Sequence, residues 1–282
     1  MKNGAAEWET LLLGVLRRHE SVAVAFSGGV DSTLVAMAAH KALGEKAVAI
    51  TGDSPSVPRK EMEKANQVAA QMGVRHIVLG TQEFSQDDYL RNDGSRCYFC
   101  KSELYSQIQS VQAKLGFAAI CSGANLDDLG DYRPGLIAAK EKGIVHPLIE
   151  AGMGKAEVRE LAQFWSLPVW DKPASPCLSS RIAPHLEVTP ERTLRVEKAE
   201  DLLHSLGFAI CRVRYFPDDL AKIEVPLELL PQLQELARQI ERELLQLGFA
   251  RVEIDPRGFR SGNLNELIPL TQKKKFSLTS PA

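Results

Sequence analysis

The chain has 282 residues, of which 44% are hydrophobic and 25% charged; its formal net charge at pH 7 is −2 and its pI is about 6.3. This balance argues against a broadly basic surface that attracts nucleic acid. No apolar run reaches the ~18 residues of a membrane span and the N-terminus lacks a signal-peptide pattern, so we expect a cytoplasmic protein with no membrane partner.

In chain order, apolar runs and helical periodicity predict alternating helices and strands in the first half of the chain. The predicted helices cover residues 8–18, 31–43, 58–72 and 101–115, and the predicted strands cover residues 22–26, 47–50, 74–79 and 117–121. This alternation implies right-handed parallel crossovers and an α/β sheet covered on both faces. In such sheets, ligands bind at the carboxyl ends of the strands.

The second half of the chain has a different pattern. A helix is predicted from Lys155 to about Trp165, followed by an irregular, proline-rich stretch. The sequence then predicts a helix over 190–206, strands over 208–216 and 220–225, a helix over 227–247 and a strand over 250–255. We therefore predict a parallel-sheet domain over residues 1–184 and a small α+β domain over residues 185–282.

Residues 27–32, Ser-Gly-Gly-Val-Asp-Ser, follow the first apolar strand and lead into a helix. Gly28 and Gly29 let the backbone approach a ligand and adopt positive φ at little cost. The N–H groups of the turn and of the helix N-terminus favour an anion, and Ser27 and Ser32 add hydroxyl donors. The loop has no lysine, unlike the Walker-type phosphate loop. It resembles the pyrophosphate loop of the ATP pyrophosphatase family, which implies cleavage of ATP between the α and β phosphates and transfer of AMP to a substrate oxygen.

Polar residues also follow two other predicted strands. Asp53 ends the second strand, where we expect it to meet the adenosine part of ATP. Gly123, Asp127 and Asp128 follow the fourth strand, where we expect them near the phosphates. Carboxylate oxygens suit Mg²⁺, which neutralises charge on the leaving pyrophosphate, so we predict Asp31 and Asp128 as its ligands. Helix capping by Asp127 and Asp128 is an alternative that is compatible with metal contact.

Three cations are candidates for binding an anionic substrate. Arg133 lies in a predicted loop near the same strand ends, and Arg96 and Lys101 flank a pair of cysteines. A phosphate or carboxylate favours such groups, and arginine in particular offers a two-pronged contact. Ordinary surface ion pairs are the alternative for each of them.

The chain contains five cysteines, namely Cys97, Cys100, Cys121, Cys177 and Cys211. An odd number in a cytosolic chain argues against a disulfide framework. Cys97 and Cys100 form a Cys-x-x-Cys pair, which fits zinc, a redox dithiol or an iron–sulfur cluster. Cys177 lies in an irregular loop with Lys172 and Arg181 close in sequence, and nearby cations favour the thiolate. The other two cysteines are expected to be structural.

Along nearly its whole length, the chain resembles the LarE family, ATP-dependent sulfur transferases that build the nickel-pincer nucleotide cofactor of lactate racemase. The matching segments are residues 27–32, 96–101, 125–128, 130–135, 155–159, 176–181, 212–214 and 258–262, together with residue 200. The Pro-Cys-Leu-x-Ser-Arg element at 176–181 discriminates this family from other ATP pyrophosphatases. The resemblance implies a pyridinium-3,5-dicarboxylate mononucleotide substrate. One carboxylate would be adenylated, a sulfur would attack the acyl adenylate, and AMP would leave. Repetition on the second carboxylate would give the bis-thiocarboxylate.

The resemblance leaves two routes for the sulfur. In one branch of the family, the cysteine that matches Cys177 gives up its own sulfur and becomes dehydroalanine. In another branch, three cysteines hold a [4Fe-4S] cluster whose fourth iron carries an extra sulfide. Because Cys97, Cys100 and Cys177 match all three positions, and three thiolates leave one iron open, we predict the cluster. Zinc held by the same cysteines and a water is an alternative, and so is sacrificial transfer from Cys177.

The resemblance also implies roles for residues of the C-terminal half. Glu200, Arg212 and Arg214 are predicted as catalytic together with Cys177 and Lys101. A charged surface or a subunit contact is the alternative for the first three. For Ser180 and Arg181, as for Arg133, the predicted role is binding of the nucleotide or substrate. Family members assemble as hexamers, so we expect a homo-oligomer, and the sequence does not identify the sulfur donor.

Three other functions compete with this interpretation. A tRNA thiolase of the same superfamily also adenylates an oxygen, but it needs a wide basic surface, which a net charge of −2 does not favour. A synthetase of the NAD or GMP type uses ammonia and has no need of three cysteines. A regulatory nucleotide-binding module would not turn ATP over to AMP.

Overall fold

The computed structural model describes residues 4–130 and 133–260, together with residues 264 and 268. These residues form two compact units. The first unit contains residues 4–83 and 97–175, and the second contains residues 84–96 and 176–260. Residues 84–96, which lie in sequence between two segments of the first unit, therefore belong to the second unit. The division into folding domains at residue 184 stays a prediction.

The first unit contains a four-stranded parallel sheet with the strand order β3-β2-β1-β4, which confirms the predicted α/β class. Its strands are β1 (Val22–Ala25), β2 (Ala47–Asp53), β3 (His76–Gly80) and β4 (Ala119–Cys121). The chain runs from β1 to β2 and β3 on one side and then places β4 on the other side of β1. The strand order therefore reverses between β1 and β4, and open α/β sheets bind ligands at such a reversal.

Helices alternate with the strands along the chain as predicted, but several of them begin or end at residues other than the predicted ones. The first eight helices in chain order are α1 (Ala5–Leu16), α2 (Val30–Leu43), α3 (Arg59–Gln71), α4 (Asp87–Leu90), α5 (Arg96–Leu115), α6 (Pro134–Glu141), α7 (Pro147–Glu150) and α8 (Lys155–Phe164). Helix α5 begins five residues before its predicted start, so Cys97 and Cys100 lie within its first five residues. None of the described helices is long and apolar enough to cross a membrane.

The sheet of the first unit is packed on both faces. Val22 and Val24 of β1 belong to a cluster that includes the apolar sides of α1, α2, α3 and α8. Ala23, between them in sequence, belongs to a second cluster with Tyr105 of α5 and Ala139 of α6. Neighbouring residues of a strand point to opposite faces, so an apolar residue at every position of β1 is what a strand covered on both sides requires.

The second unit contains a three-stranded mixed sheet with the order β5-β6-β7, where β5 and β6 are antiparallel and β6 and β7 parallel. Its further elements are α9 (Pro190–Ser205), β5 (Arg212–Phe216), β6 (Leu220–Glu224), α10 (Leu230–Glu235), α11 (Ala237–Gln246) and β7 (Arg251–Ile254). The single helix predicted over 227–247 is wrong. A 3-10 turn precedes α10, and the helix is interrupted at Leu236, whose backbone has φ −92° and ψ 0°.

Candidate active site

Residues 27–32, which we call the phosphate loop, form a closed turn through hydrogen bonds of Ser27 and Ser32. The Ser32 hydroxyl accepts the N–H of Ser27 (3.2 Å), lies 3.1 Å from the Ser27 hydroxyl and donates to the Gly29 carbonyl (3.2 Å). The first backbone bond of α2 runs from Thr33 to Gly29 (2.9 Å), so the N–H groups of residues 30–32 precede the helical ladder. The loop therefore presents backbone donors and hydroxyls at a helix N-terminus, where an anion is favoured.

Two glycines allow this loop to pack closely. Gly28 has a φ of +68°, and a Cβ there would lie 3.0 Å from the backbone Cα of Ala65. Gly123, just after β4, lies against the start of α2. A Cβ on Gly123 would lie 2.7 Å from the backbone nitrogen of Ser32, closer than real contacts allow. The segment after β4 thus approaches the phosphate loop because Gly123 has no side chain.

Four residues of the first unit form a closed ring of hydrogen bonds beside the loop. The Asn125 amide donates to the Asp31 carboxylate (3.0 Å), and the Asn125 side-chain oxygen accepts the N–H of Asp127 (3.0 Å). The Asp127 carboxylate accepts the N–H of Lys155 at the start of α8 (2.7 Å). The Lys155 ammonium group then donates back to the Asp31 carboxylate (2.5 Å). The ring joins the start of α2, the segment after β4 and the start of α8. Asp127 therefore caps α8 and also lies beside the phosphate loop.

Asp128 has partners of its own. One carboxylate oxygen accepts the N–H of Asn125 (3.1 Å), and the other pairs with the guanidinium group of Arg133 (3.0 Å). The His146 ring nitrogen Nδ1 lies 2.7 Å from the Ser122 hydroxyl. Burial lowers the pKa of His146, against the opposing charges of Glu150 and Asp128. Asp128, a predicted Mg²⁺ ligand, is therefore already paired with a cation, and the His146 imidazole is biased towards its neutral form.

Lys172 holds the other side of the phosphate loop. Its ammonium group donates to the carbonyl of Gly28 (3.0 Å) and pairs with Glu61 (2.7 Å), and both side chains are largely buried. Burial acts to raise the pKa of Glu61, but the hydrogen bond and charge of Lys172, together with Lys64, hold it below its usual range. The position of Lys172 in sequence suggests a cation near Cys177, whereas in the structure its ammonium group is bonded to the phosphate loop.

Two further predicted residues of the first unit lie on regular elements. Asp53 ends β2 and pairs with Arg59 (2.7 Å). Lys101 lies on α5, with its ammonium nitrogen 6.0 Å from the centre of the Tyr105 ring. A Cβ on Gly135 would lie 2.9 Å from the Lys101 side chain, so the glycine leaves room for this lysine.

In the second unit, the backbone of Cys177 is held firmly. Its carbonyl accepts hydrogen bonds from the Ser180 hydroxyl (2.6 Å) and from the Arg181 guanidinium group (2.9 Å). Arg181 also donates to the Pro176 carbonyl (2.5 Å). The Cys177 side chain is partly exposed. These contacts fix the main chain and leave the thiol accessible.

The segment 84–96 of the second unit binds to the residues that follow Cys177. The Tyr89 hydroxyl lies 2.8 Å from the Ser179 hydroxyl, and Arg96 donates to the Ser179 carbonyl (2.8 Å). The Asn92 amide donates to three backbone carbonyls between residues 182 and 186, over 2.9–3.3 Å. Thus the segment 84–96 holds the backbone of residues 179–186 within the second unit.

Two buried ion pairs stand beside this segment. Arg181, only 2% exposed, makes a two-pronged contact with Glu200 (3.0 and 3.2 Å). Arg214 contacts Glu224 through two nitrogens (3.0 Å each) and donates to the Ser180 carbonyl (3.2 Å). Since burying unpaired charge is costly, these partners explain how two arginines can be buried here.

Arg212 differs from the two arginines beside it. It forms no ion pair within the described residues; it donates to the Cys211 carbonyl (2.6 Å) and stacks on the Phe259 ring at 5.2 Å. Burial and the charges of Arg181 and Arg214 lower the pKa of Arg212, against the opposing charge of Glu200. Of the two arginines predicted as catalytic, Arg214 is thus in an ion pair with Glu224, whereas Arg212 is not in an ion pair within the described residues.

The five cysteines divide into two classes. None forms a disulfide; Cys97 is exposed, and Cys100 and Cys177 are partly exposed. Burial raises the pKa of both Cys121 and Cys211 to about 12, which keeps them as inert thiols and agrees with the structural role predicted for them. In the described part of the chain, no group of three or more His, Cys, Asp or Glu side chains is arranged to hold a metal ion.

Lys155, Lys172 and His146 were not predicted from the sequence as site residues. The sequence indicates Lys155 only weakly, because Lys155 is the first residue of segment 155–159, which matches the LarE family. It indicates Lys172 only as a cation near Cys177, since its partner Gly28 lies 144 positions away. His146 had no signal, because its partner Ser122 lies on another segment. In the matching segments 130–135 and 258–262, residues 131, 132, 261 and 262 lie outside the described residues.

Comparison with known proteins gives independent information. Residues 15–92 match the asparagine synthase family. The chain is 37% identical over 268 residues to the pyridinium-3,5-bisthiocarboxylic acid mononucleotide synthase of Lactiplantibacillus plantarum, covering 94% of this chain and 96% of that protein. It is 45% identical over 250 residues to an uncharacterized protein of Synechocystis, covering 87% and 92%. It is 28% identical over 193 residues to a subunit of the glutamine-hydrolyzing GMP synthase of Archaeoglobus fulgidus, covering 64% and 63%.

Proposed function

The chain belongs to the LarE family, and we propose that it uses ATP to convert pyridinium-3,5-biscarboxylic acid mononucleotide into the bis-thiocarboxylic acid. The synthase from Lactiplantibacillus plantarum, whose name states this product, aligns with almost the whole of both chains. The observation that carries the proposal is the phosphate loop, closed by Ser27 and Ser32 and approached by Gly123. It is built to hold the phosphates of ATP at a helix N-terminus.

The first chemical step would activate a carboxylate. An oxygen of the substrate carboxylate attacks the α-phosphorus of ATP, the bond to the bridging oxygen breaks, and pyrophosphate leaves. Charge then builds on the leaving phosphates, where backbone donors of residues 27–32 and nearby cations stabilise it. The product is an acyl adenylate, whose carbonyl carbon is open to a nucleophile.

Asp31 and Asp128 are the residues that would hold Mg²⁺. Their carboxylate oxygens are the hard ligands this ion prefers; Asp31 lies in the phosphate loop, and Asp128 lies on the segment after β4, whose Asn125 bonds to Asp31. When bound, the ion would neutralise charge on the pyrophosphate.

The second step would transfer sulfur. A sulfur nucleophile adds to the acyl carbon, the bond from that carbon to the AMP oxygen breaks, and AMP leaves with a thiocarboxylate formed. Repetition on the other carboxyl group gives the final product. Cys177 is the sulfur-site residue of this proposal, because its backbone is fixed while its thiol is accessible. Arg212, which stacks on the Phe259 ring and forms no ion pair within the described residues, would bind an anionic group of the substrate.

We propose that Cys97, Cys100 and Cys177 hold the [4Fe-4S] cluster. The donor chemistry fits, since all three thiols are reachable whereas Cys121 and Cys211 are buried, and soft thiolates suit iron–sulfur clusters. Cys97 and Cys100 lie three residues apart near the N-terminus of α5, on one side of the helix. When bound, the cluster would supply a transferable sulfide.

The assembly of the protein as a hexamer also stays a prediction.

The function is tested by product analysis under anaerobic conditions. Protein, ATP and Mg²⁺ are incubated with pyridinium-3,5-biscarboxylic acid mononucleotide, and AMP and thiocarboxylate are measured by chromatography and mass spectrometry. We expect AMP formation that requires the pyridinium nucleotide, with one AMP for each carboxyl group converted. Formation of AMP with bulk tRNA and not with the pyridinium nucleotide would instead favour a tRNA thiolase.

The cluster has its own test. After anaerobic reconstitution, we expect a brown protein with about four irons per chain. Cys97→Ser should lower the iron content strongly, whereas Cys121→Ala, a buried cysteine outside the proposed ligand set, should retain it. A colourless, iron-free wild-type product would reject the cluster and leave the ATP chemistry untouched.

A further inference from the structure

Three arginines of the second unit, Arg181, Arg212 and Arg214, differ in the kind of partner they have. Arg181 and Arg214 are each paired with a buried glutamate over 3.0 Å. Arg212 has no carboxylate partner within the described residues; it meets the ring of Phe259, whose centre lies 5.2 Å from the guanidinium carbon. An aromatic ring attracts a guanidinium group without supplying a counter-charge, so Arg212 is held by a partner that leaves it cationic.

The loop after β7 is fixed so that Phe259 reaches Arg212. Arg212 is the first residue of β5 and is paired in register with Glu224, the last residue of β6. The N–H of Phe259 donates to the carbonyl of Val225, the residue after Glu224 (2.8 Å). Gly258 makes this approach possible, because its φ is +67° and a Cβ there would lie 2.9 Å from the Val225 carbonyl oxygen. The main chain of the loop therefore brings the ring to the guanidinium group.

The guanidinium group of Arg212 keeps donors for a ligand. It has five N–H donors, and within the described residues only Nη1 donates, to the Cys211 carbonyl (2.6 Å). The Phe259 side chain has no hydrogen-bonding atom, so the N–H groups of Nε and Nη2 stay available. The carboxylate that faces Arg212 in register, Glu224, is paired with Arg214. Carboxylates and phosphates accept parallel hydrogen bonds from a guanidinium group in this state.

We propose that Phe259 is a positioning residue, which holds the guanidinium group of Arg212 in place for an anionic group of the substrate. An arginine side chain has many rotamers and loses that freedom when it binds a ligand. A ring that restricts the side chain beforehand makes the loss on binding smaller. This inference rests on the proposed role of Arg212 and does not depend on the origin of the sulfur. The competing explanation is that Phe259 only fills space beside the sheet.

The test is a double-mutant cycle between Phe259 and Arg212, measured with the full-length protein by titration calorimetry in the absence of ATP. The ligands are pyridinium-3,5-biscarboxylic acid mononucleotide and inorganic phosphate, and Arg212→Met defines the binding that depends on Arg212. Phe259→Leu keeps an apolar side chain and removes the ring. We expect it to weaken this binding about 3- to 10-fold, the size of a lost cation–π contact. Phe259→Tyr should bind as the wild type does, because it keeps the ring.

The cycle separates positioning from packing. When Arg212 is already methionine, Phe259→Leu should have no further effect on binding, because the ring acts through the guanidinium group. A residue that only fills space would weaken binding equally in both backgrounds, and that result would overturn the inference, as would unchanged binding by Phe259→Leu. Phe216→Leu is the matched control. The Phe216 ring, at the other end of β5, lies 5.8 Å from the Lys222 ammonium group, and its loss should leave binding unchanged.

The outcome can be separated from that of the proposed function. If wild-type protein makes no thiocarboxylate but binds inorganic phosphate through Arg212 and loses that affinity in Phe259→Leu, the inference stands and the proposed function fails. If wild-type protein transfers sulfur and Phe259→Leu binds both ligands normally, only the inference fails. Absence of any binding that depends on Arg212, for either ligand, would also overturn the inference.

Discussion

Alanine in place of Cys177 is expected to lower the rate of thiocarboxylate formation by at least about 1,000-fold, as loss of a reacting group commonly does. Pyrophosphate release in the first turnover should continue at close to the wild-type rate, because adenylation depends on the phosphate loop. The substitution should leave the fold intact. Ser180 and Arg181 bond to the carbonyl of Cys177, not to its side chain.

The measurement is a rapid single turnover under anaerobic conditions, with pyrophosphate and thiocarboxylate followed in the same sample. Cys121→Ala is the matched control; it removes a buried thiol, should cost about 1 kcal/mol of stability and should transfer sulfur normally. Thiocarboxylate formation at the normal rate by Cys177→Ala would show that its proposed sulfur role is wrong.

Mass spectrometry of the wild-type protein after turnover separates the two sulfur routes. A cluster that supplies sulfide leaves Cys177 unchanged. Sacrificial transfer converts it to dehydroalanine, with a loss of about 34 Da, because the thiol sulfur leaves by elimination. We expect an unchanged mass for protein that carries the cluster.

Alanine in place of Gly123 is expected to lower the rate of substrate-dependent AMP formation about 100-fold. The new Cβ would lie 2.7 Å from the backbone nitrogen of Ser32 and 3.0 Å from backbone atoms of Asp31 and Ser32. Backbone at a helix start cannot move aside as a flexible side chain can, so the phosphate loop or the segment after β4 must shift. Displacements of about 1 Å in a positioned site can cost this much in rate.

The rate is measured as AMP formed with saturating substrate, at a temperature well below the unfolding transition. Gly14→Ala is the control, since a Cβ there meets nothing within 4 Å and Gly14 lies inside α1. That substitution should keep the activity and stabilise the protein by about 0.5–1 kcal/mol. A Gly123→Ala protein with wild-type activity would contradict the close approach of this segment to the loop.

Local patterns predicted much of the first unit correctly. The apolar run before Ser27, the glycine turn and the helix that follows are adjacent in sequence, so periodicity and residue type predicted them. Strands alternating with helices predicted the parallel sheet, and the relative from Lactiplantibacillus plantarum confirms the resemblance to the LarE family. Boundaries were less accurate; α5 begins at Arg96 and not near Lys101.

The sequence by itself determined the sheet, the phosphate loop and the family, because each depends on residues within a few positions of one another or on motifs that can be matched one by one. Only the tertiary structure decided which charges are already paired. Lys155 meets Asp31 across 124 positions and Lys172 meets Gly28 across 144, and Arg181 is fully engaged with Glu200 and backbone carbonyls. No periodic pattern encodes such contacts, since they arise when separate elements pack together and bring distant side chains within hydrogen-bonding distance.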